Sequence, residues 1–244
     1  MPDSCPLLGV IVPPADGAVP SELPELYGRE LSFSAVGLGI PAMSAAGFDT
    51  VIDRVAQAAQ TLARRGARAV ALMGTSLSFY RGAAFNEQLG RTLRDATGLP
   101  AVTMSDAIVQ ALHRVGARRL AVATAYTDDV NDRLVAFLRD HGFDVLGLES
   151  LQLLTVAEVH AVTRQTLLDL GARAAARAPE ADALLVSCGG LRTLDVTVPL
   201  EDRLGLPVVS SAVAGAWSAA RLTGHSGHAA GRGRLLAREE AVSE

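Results

Sequence analysis

The 244-residue chain contains no lysine: its 22 permanent cations are all arginine. Without lysine a chain cannot form a Schiff base on its own side chain, hold pyridoxal phosphate or biotin covalently, or use a P-loop lysine. Cysteine is nearly absent too; Cys5 and Cys188 are the two present, too few for a disulfide framework. Aromatic residues make up 4% of the chain and Trp occurs once, so the core must be built from small aliphatic side chains. No apolar run exceeds strand length, which leaves nothing to span a membrane. The formal net charge is −4, with no basic block and no acidic tail, which argues against nucleic acid. The start, Met1-Pro2-Asp3-Ser4-Cys5, lacks the basic region of a signal peptide. These absences predict a soluble, cytoplasmic protein with reduced thiols and with no membrane, nucleic-acid or evident protein partner.

What is present is dominated by alanine, valine and leucine, with 49% of the chain apolar. The most informative stretch is Leu184-Leu185-Val186-Ser187-Cys188-Gly189-Gly190. An apolar run of this length reads as a parallel strand buried on both faces. It stops at a cysteine and two glycines, which permit a sharp turn and let backbone N–H groups approach an anion. The carboxyl ends of strands are where open α/β sheets bind ligands. Cys188 there is either a reactive thiol or a small buried hydrophobe. Cys5 carries no such context.

The pattern predicts alternating strands and helices throughout. Strands are expected at Leu7–Val12, Glu30–Val36, Ala69–Met73, Ala101–Ser105, Arg119–Thr124, Phe143–Leu148, Leu184–Cys188 and Val208–Ser211. Helices are expected at Glu22–Tyr27, Phe48–Arg65 with Gly66 as its C-cap, Asn86–Ala96, Asp106–Val115 and Asp128–His141 behind Thr127 as N-cap. A long helix over Val156–Arg177 with a break at Gly171, a short one at Glu201–Leu204 and one through Trp217 to Leu222 complete the set. Ser78–Gly82 reads as loop. Gly37-Leu38-Gly39 opens no helix and makes no dinucleotide fingerprint. Asp128, Asp129 and Asp132 fit helix capping rather than a metal loop. His225 and His228, in a glycine-rich tail, lack ligand-type neighbours.

The two halves of the chain match. Gly98-Leu99-Pro100-Ala101-Val102-Thr103 answers Gly205-Leu206-Pro207-Val208-Val209-Ser210, Leu8–Val12 answers Leu120–Thr124, and Gly66–Gly74 answers Glu180–Cys188. The expected fold is α/β: two similar Rossmann-like domains with parallel sheets, related by a pseudo-two-fold, with the active site in the cleft between them. The first domain would span 1–115, with 217–244 packing back on it, and the second 116–216. Gly74-Thr75-Ser76 and Cys188-Gly189-Gly190 would face each other across the cleft, with Pro14 and Tyr126 as a second matched pair. No histidine falls at a predicted strand end, so a Cys–His pair is not indicated. Donors around an anion suit a carboxylate becoming an enediolate, and a thiol suits proton transfer at carbon.

Ser187-Cys188-Gly189-Gly190 and the doubled architecture resemble the aspartate/glutamate racemase superfamily. Its typical members use two cysteines, one per domain, and here the first of those positions is Gly74. Gly74-Thr75-Ser76-Leu77-Ser78-Phe79-Tyr80-Arg81-Gly82, Thr124-Ala125-Tyr126, Val12-Pro13-Pro14 and Val208-Val209-Ser210-Ser211 are similar to the arylmalonate decarboxylase family within it. The resemblance implies a small-molecule substrate, a malonate bearing an aryl or alkenyl group, decarboxylated without cofactor or metal. It implies that Cys188 protonates one face, that Thr75, Ser76, Tyr126, Gly189 and Gly190 cradle one carboxylate, and that Ile40, Met43, Val156 and Val159 form an apolar pocket for the other. From the residues alone, Thr75 and Ser76 serve equally as helix caps, Tyr126 as packing, and the four apolar residues as core. A racemase or isomerase of the superfamily and a non-catalytic carboxylate binder are the alternatives.

Overall fold

A computed structural model describes residues 5–40 and 53–237. Met43 and the start of the helix expected at Phe48–Arg65 lie outside the described residues. The first half runs β1 (Leu7–Val12), α1 (Glu22–Tyr27), β2 (Ser32–Gly37), α2 (Arg54–Arg64), β3 (Ala69–Leu72), α3 (Thr75–Phe79), α4 (Ala83–Thr97), β4 (Ala101–Thr103) and α5 (Met104–Arg114). The second runs β5 (Arg119–Thr124), α6 (Asp128–Asp140), β6 (Asp144–Ser150), α7 (Val156–His160), α8 (Arg164–Arg177), β7 (Ala183–Ser187), α9 (Leu194–Leu204), β8 (Val208–Ser210) and α10 (Ser211–Leu222), followed by a 3₁₀ turn at Arg234–Leu236.

Two four-stranded sheets result, ordered β2-β1-β3-β4 and β6-β5-β7-β8, and every pairing is parallel. The Ala/Val/Leu runs of β3 and β7 are buried at every position, as strands covered on both faces must be. The repeat extends to the caps: Thr103 Oγ1 accepts the Asp106 N–H at the start of α5, and Ser210 Oγ accepts the Val213 N–H at the start of α10. Among the described residues no helix is long and apolar enough to cross a membrane.

Helix α10 sits between the halves. Its Val213, Ala214 and Trp217 join the core around β5 and β7. Its Ala216, Ala219 and Ala220 join the core around β1 and β3, and it packs on α5 and α1. Gly215 admits Met73 and Met104, whose methyl carbons would lie 2.9 and 3.0 Å from a Cβ placed there. The boundary expected at 216/217 falls inside this helix.

Several elements depart from the sequence expectations. The helix expected over Val156–Arg177 is two helices, α7 and α8, separated by residues 161–163. Thr155 and Glu158 form a capping box on α7, and Thr163 Oγ1 takes the Thr166 N–H to start α8 afresh. Gly171 does not break α8; it lets α9 approach, since a Cβ there would lie 3.0 Å from both Leu200 methyl carbons. Residues 75–79 form a helical turn where a loop was expected from Ser78. Helix α9 begins at Leu194, ahead of the expected Glu201, with Pro199 inside it. Thr127 holds the N-cap position of α6 without a side-chain capping bond. Gly66, at φ 89°, follows α2 as expected of a C-terminal glycine.

Candidate active site

The carboxyl ends of β1, β3, β5 and β7 converge on a cavity of about 460 Å³. Its lining includes Pro14, Ile40, Gly74, Thr75, Ser76, Tyr126, Val156, Val159, Cys188, Gly189 and Gly190. All the candidate residues that fall within the described chain therefore meet in one place, and both sheets contribute.

Cys188 follows β7 directly and is buried. Its backbone N–H is held by Ser211 Oγ at 3.2 Å, from the first residue of α10. Burial pushes its thiol up to about 11, against hydrogen bonding from the N–H groups of Gly190 and Leu191 and from Tyr126 that favours the thiolate. At neutral pH the group is therefore a thiol, able to give a proton rather than take one. Tyr126 is also buried, and burial followed by the neighbouring Cys188 raises its phenol well above the usual range. Its hydroxyl lies 3.4 Å from Ser187 Oγ, and its ring meets Phe79 edge-on. It stays a neutral donor.

Opposite, Gly74 occupies the N-cap of α3, and the first N–H groups of a helix have no partner within it. Buried Thr75 places its hydroxyl 2.8 Å from Met104 Sδ. The turn is fixed from beneath: Ser78 Oγ lies 2.9 Å from the carbonyl oxygens of Gly74 and Thr75 and 2.6 Å from Ser105 Oγ. The two glycines after Cys188 lie in the turn that the sequence suggested, closed by the Leu191 N–H donating to the Cys188 carbonyl oxygen at 3.2 Å; neither has positive φ, and crowding is what reserves the positions for glycine. A Cβ at Gly189 would lie 2.8 Å from Met104 Sδ and 3.3 Å from Thr75 Oγ1, and one at Gly190 would lie 3.0 Å from Val159 Cγ1. The Cys188 loop and the α3 turn thus touch across the cleft.

The family model for arylmalonate decarboxylase matches residues 8–236. The chain belongs to the arylmalonate decarboxylase family. Members are carboxy-lyases. The chain is 50% identical to an arylmalonate decarboxylase of Bordetella bronchiseptica over 96% of its own length and 97% of the relative's. It is 29% identical to a maleate isomerase of Nocardia farcinica over 97% of each. Among solved structures it matches a glycine-to-cysteine, cysteine-to-serine double variant of arylmalonate decarboxylase in liganded form. That match has 49% identity and a TM-score of 0.92, covering 95% of this chain and 98% of that one. A Nocardia farcinica maleate cis-trans isomerase with a covalently bound succinylcysteine intermediate matches with a TM-score of 0.89 at 21% identity, covering 96% and 99%, a likeness of fold.

In this member of the arylmalonate decarboxylase family the cavity has further walls that the sequence did not reveal. The loop after β1 brings in Asp16, Val19 and Pro20, and the first residue of α1 brings in Glu22; the Pro13-Pro14 stop after a strand was the available signal. Glu22 is 5% exposed. Burial pushes its carboxyl up, against hydrogen bonds from the N–H groups of Glu22 and Thr193. His160 and Arg192 also line the cavity. His160 ends α7, which the expected long helix concealed. Among the described residues no group of three or more His, Cys, Asp or Glu could hold a metal ion. Asp128 instead accepts from Gln152 and Asp129 pairs with Arg133, while His225 meets Glu30 and His228 meets the Leu236 carbonyl.

Proposed function

We propose that this chain decarboxylates disubstituted malonates bearing an α-aryl or alkenyl group, without a cofactor, and that Cys188 protonates one face of the resulting enediolate. The observation that carries the reading is the buried thiol, held protonated, across a narrow cleft from a strand end that offers donors and no second thiol.

One substrate carboxylate would lie among Thr75, Ser76, the Tyr126 hydroxyl and the N–H groups of Gly189 and Gly190. The other would lie against Ile40, Val156 and Val159. An anion buried among apolar groups without a partner is costly, and departure of CO2 removes that charge. The electron pair of the broken C–C bond passes to the α-carbon and into the cradled carboxylate. Each donor positioned on the growing charge is worth about two to three orders of magnitude in kcat. The aryl or alkenyl group shares the charge by conjugation. The Cys188 S–H then gives its proton to the α-carbon from one side, yielding a single enantiomer. The thiolate left behind has the N–H groups of Gly190 and Leu191 and the Tyr126 hydroxyl to stabilise it until water reprotonates it.

The test is CO2 release from phenylmalonate by protein dialysed against a chelator. Turnover should survive dialysis; loss restored by a metal ion would overturn cofactor independence. Cys188→Ala should lower turnover by about two to four orders of magnitude while binding of phenylacetate changes far less. Near-normal turnover in that variant would overturn the proton-donor assignment. Racemisation of a single-enantiomer α-aryl propionate, or isomerisation of an unsaturated diacid, with no CO2 released from phenylmalonate would indicate the related chemistries, and binding of phenylacetate without any turnover a plain carboxylate binder.

A further inference from the structure

Taking the proposed placement of the malonate as given, three walls of the cavity are accounted for: the donor cradle, the apolar face and the Cys188 thiol. The remaining wall, formed by the loop after β1 and by Leu191 and Arg192, is left for the α-substituent. That wall is not purely apolar. Arg192 is the permanent cation among the described residues lining the cavity. Its side chain is exposed and has no ion pair or hydrogen bond among the described residues. The nearby carboxyl, Glu22, is instead held by the Thr193 backbone N–H. His160 stands over the same loop, its Nε2 3.7 Å from where a Cβ of Gly190 would be, and it offers a ring N–H donor in either protonation state.

We propose that Arg192, with His160 lining the same cavity, forms an anion-reading rim, so that this enzyme favours malonates whose α-substituent ends in a carboxylate or similar anion. The chemistry tolerates such a cation only at this place. Against the departing carboxylate it would stabilise the ground state and slow the loss of CO2. Arg192 is exposed, four residues beyond Cys188, so water screens it from the buried floor, while a substituent reaching the mouth meets it directly. A planar guanidinium accepts a carboxylate through two parallel hydrogen bonds.

The experiment compares (4-carboxyphenyl)malonate with (4-methylphenyl)malonate. Because the para group also alters intrinsic reactivity, the decisive quantity is the ratio of their kcat/KM values in the wild type against that in Arg192→Leu. The ratio should fall by about fivefold in Arg192→Leu, the scale of an exposed ion pair. It should be largely kept in Arg192→Lys, fall less in His160→Ala, and shrink in the wild type at about 0.5 M salt. In parallel, calorimetry measures Kd for (4-carboxyphenyl)acetate and (4-methylphenyl)acetate, which requires no turnover. If the malonates are turned over and neither ratio responds to Arg192→Leu, the rim is overturned and the decarboxylase reading stands. If no malonate is turned over yet the Kd ratio falls by a similar factor in Arg192→Leu, the rim stands and the decarboxylase reading falls.

Discussion

At Cys188 two physical effects oppose each other. Burial destabilises the thiolate, and three surrounding donors stabilise it; burial wins, leaving the thiol at about 11. The sign of that outcome sets the expected reactivity. A thiol is active as an acid below its pKa and is lost as an acid when pH rises through it, so the alkaline fall of kcat should come near pH 11, not near that of an ordinary cysteine. Alkylation needs the thiolate. Iodoacetamide followed by peptide mass spectrometry should therefore modify exposed Cys5 first at neutral pH, with Cys188 lagging and its rate rising with pH. Cys188 reacting as fast as Cys5 at neutral pH would contradict a buried, protonated donor. The sequence located this residue because a strand followed by Cys-Gly-Gly is a local pattern. It showed the turn at the glycines but not the crowding that reserves them, because the neighbours that press on them, Met104 and Val159, come from distant parts of the chain.

Among the elements, the one-turn helix α3 contributes most to the site for its length. Five residues cannot hold a helix by themselves; the fully buried Ser78 hydroxyl, between two carbonyls of its own turn and Ser105, secures it. Ser78→Ala should cost about 1–3 kcal/mol, read as a fall in Tm of about 2–4 °C per kcal/mol. It should also lower kcat by about an order of magnitude as Thr75 and Ser76 lose their register. A fall in Tm with unchanged kcat would mean the turn is held well enough without Ser78. This helix was hard to read in the sequence because its support is a serine from another helix rather than an apolar periodicity. The junction between α7 and α8 was obscured similarly: Thr163 looks like an ordinary polar position on one long helix until its capping bond to the Thr166 N–H is seen. The strands were far more legible, since burial on both faces leaves an unbroken apolar run wherever it occurs.

The whole molecule repeats one strand order twice, and the repeat places Gly74 and Cys188 at equivalent strand ends on one cavity. Gly74 has φ −130° and ψ 98°, ordinary extended backbone, so no conformational reason reserves the position for glycine. A Cβ would lie 3.2 Å from Leu77 Cβ and 3.4 Å from Pro13 Cγ, a fit requiring small shifts. Gly74→Cys should let the enzyme racemise α-aryl propionates slowly, one sulfur abstracting while the other donates. Gly74→Cys combined with Cys188→Ser should still release CO2 but give the opposite enantiomer on chiral chromatography. An unchanged enantiomer formed well above background would show that the two positions do not address opposite faces. The repeat also bears on how the chain can be divided. Helix α10 is wedged between the sheets with alanines on one side and Val213, Ala214 and Trp217 on the other, so neither half owns it. Cut between Val115 and Gly116, the N-terminal fragment would lose the cover over β3 and α5, and the C-terminal fragment would display a bare alanine face. Each piece should be poorly folded and aggregation-prone alone, and the mixture should regain ellipticity and turnover as a split enzyme. Duplicated in sequence but fastened by a shared helix, the two halves are complements rather than independent modules.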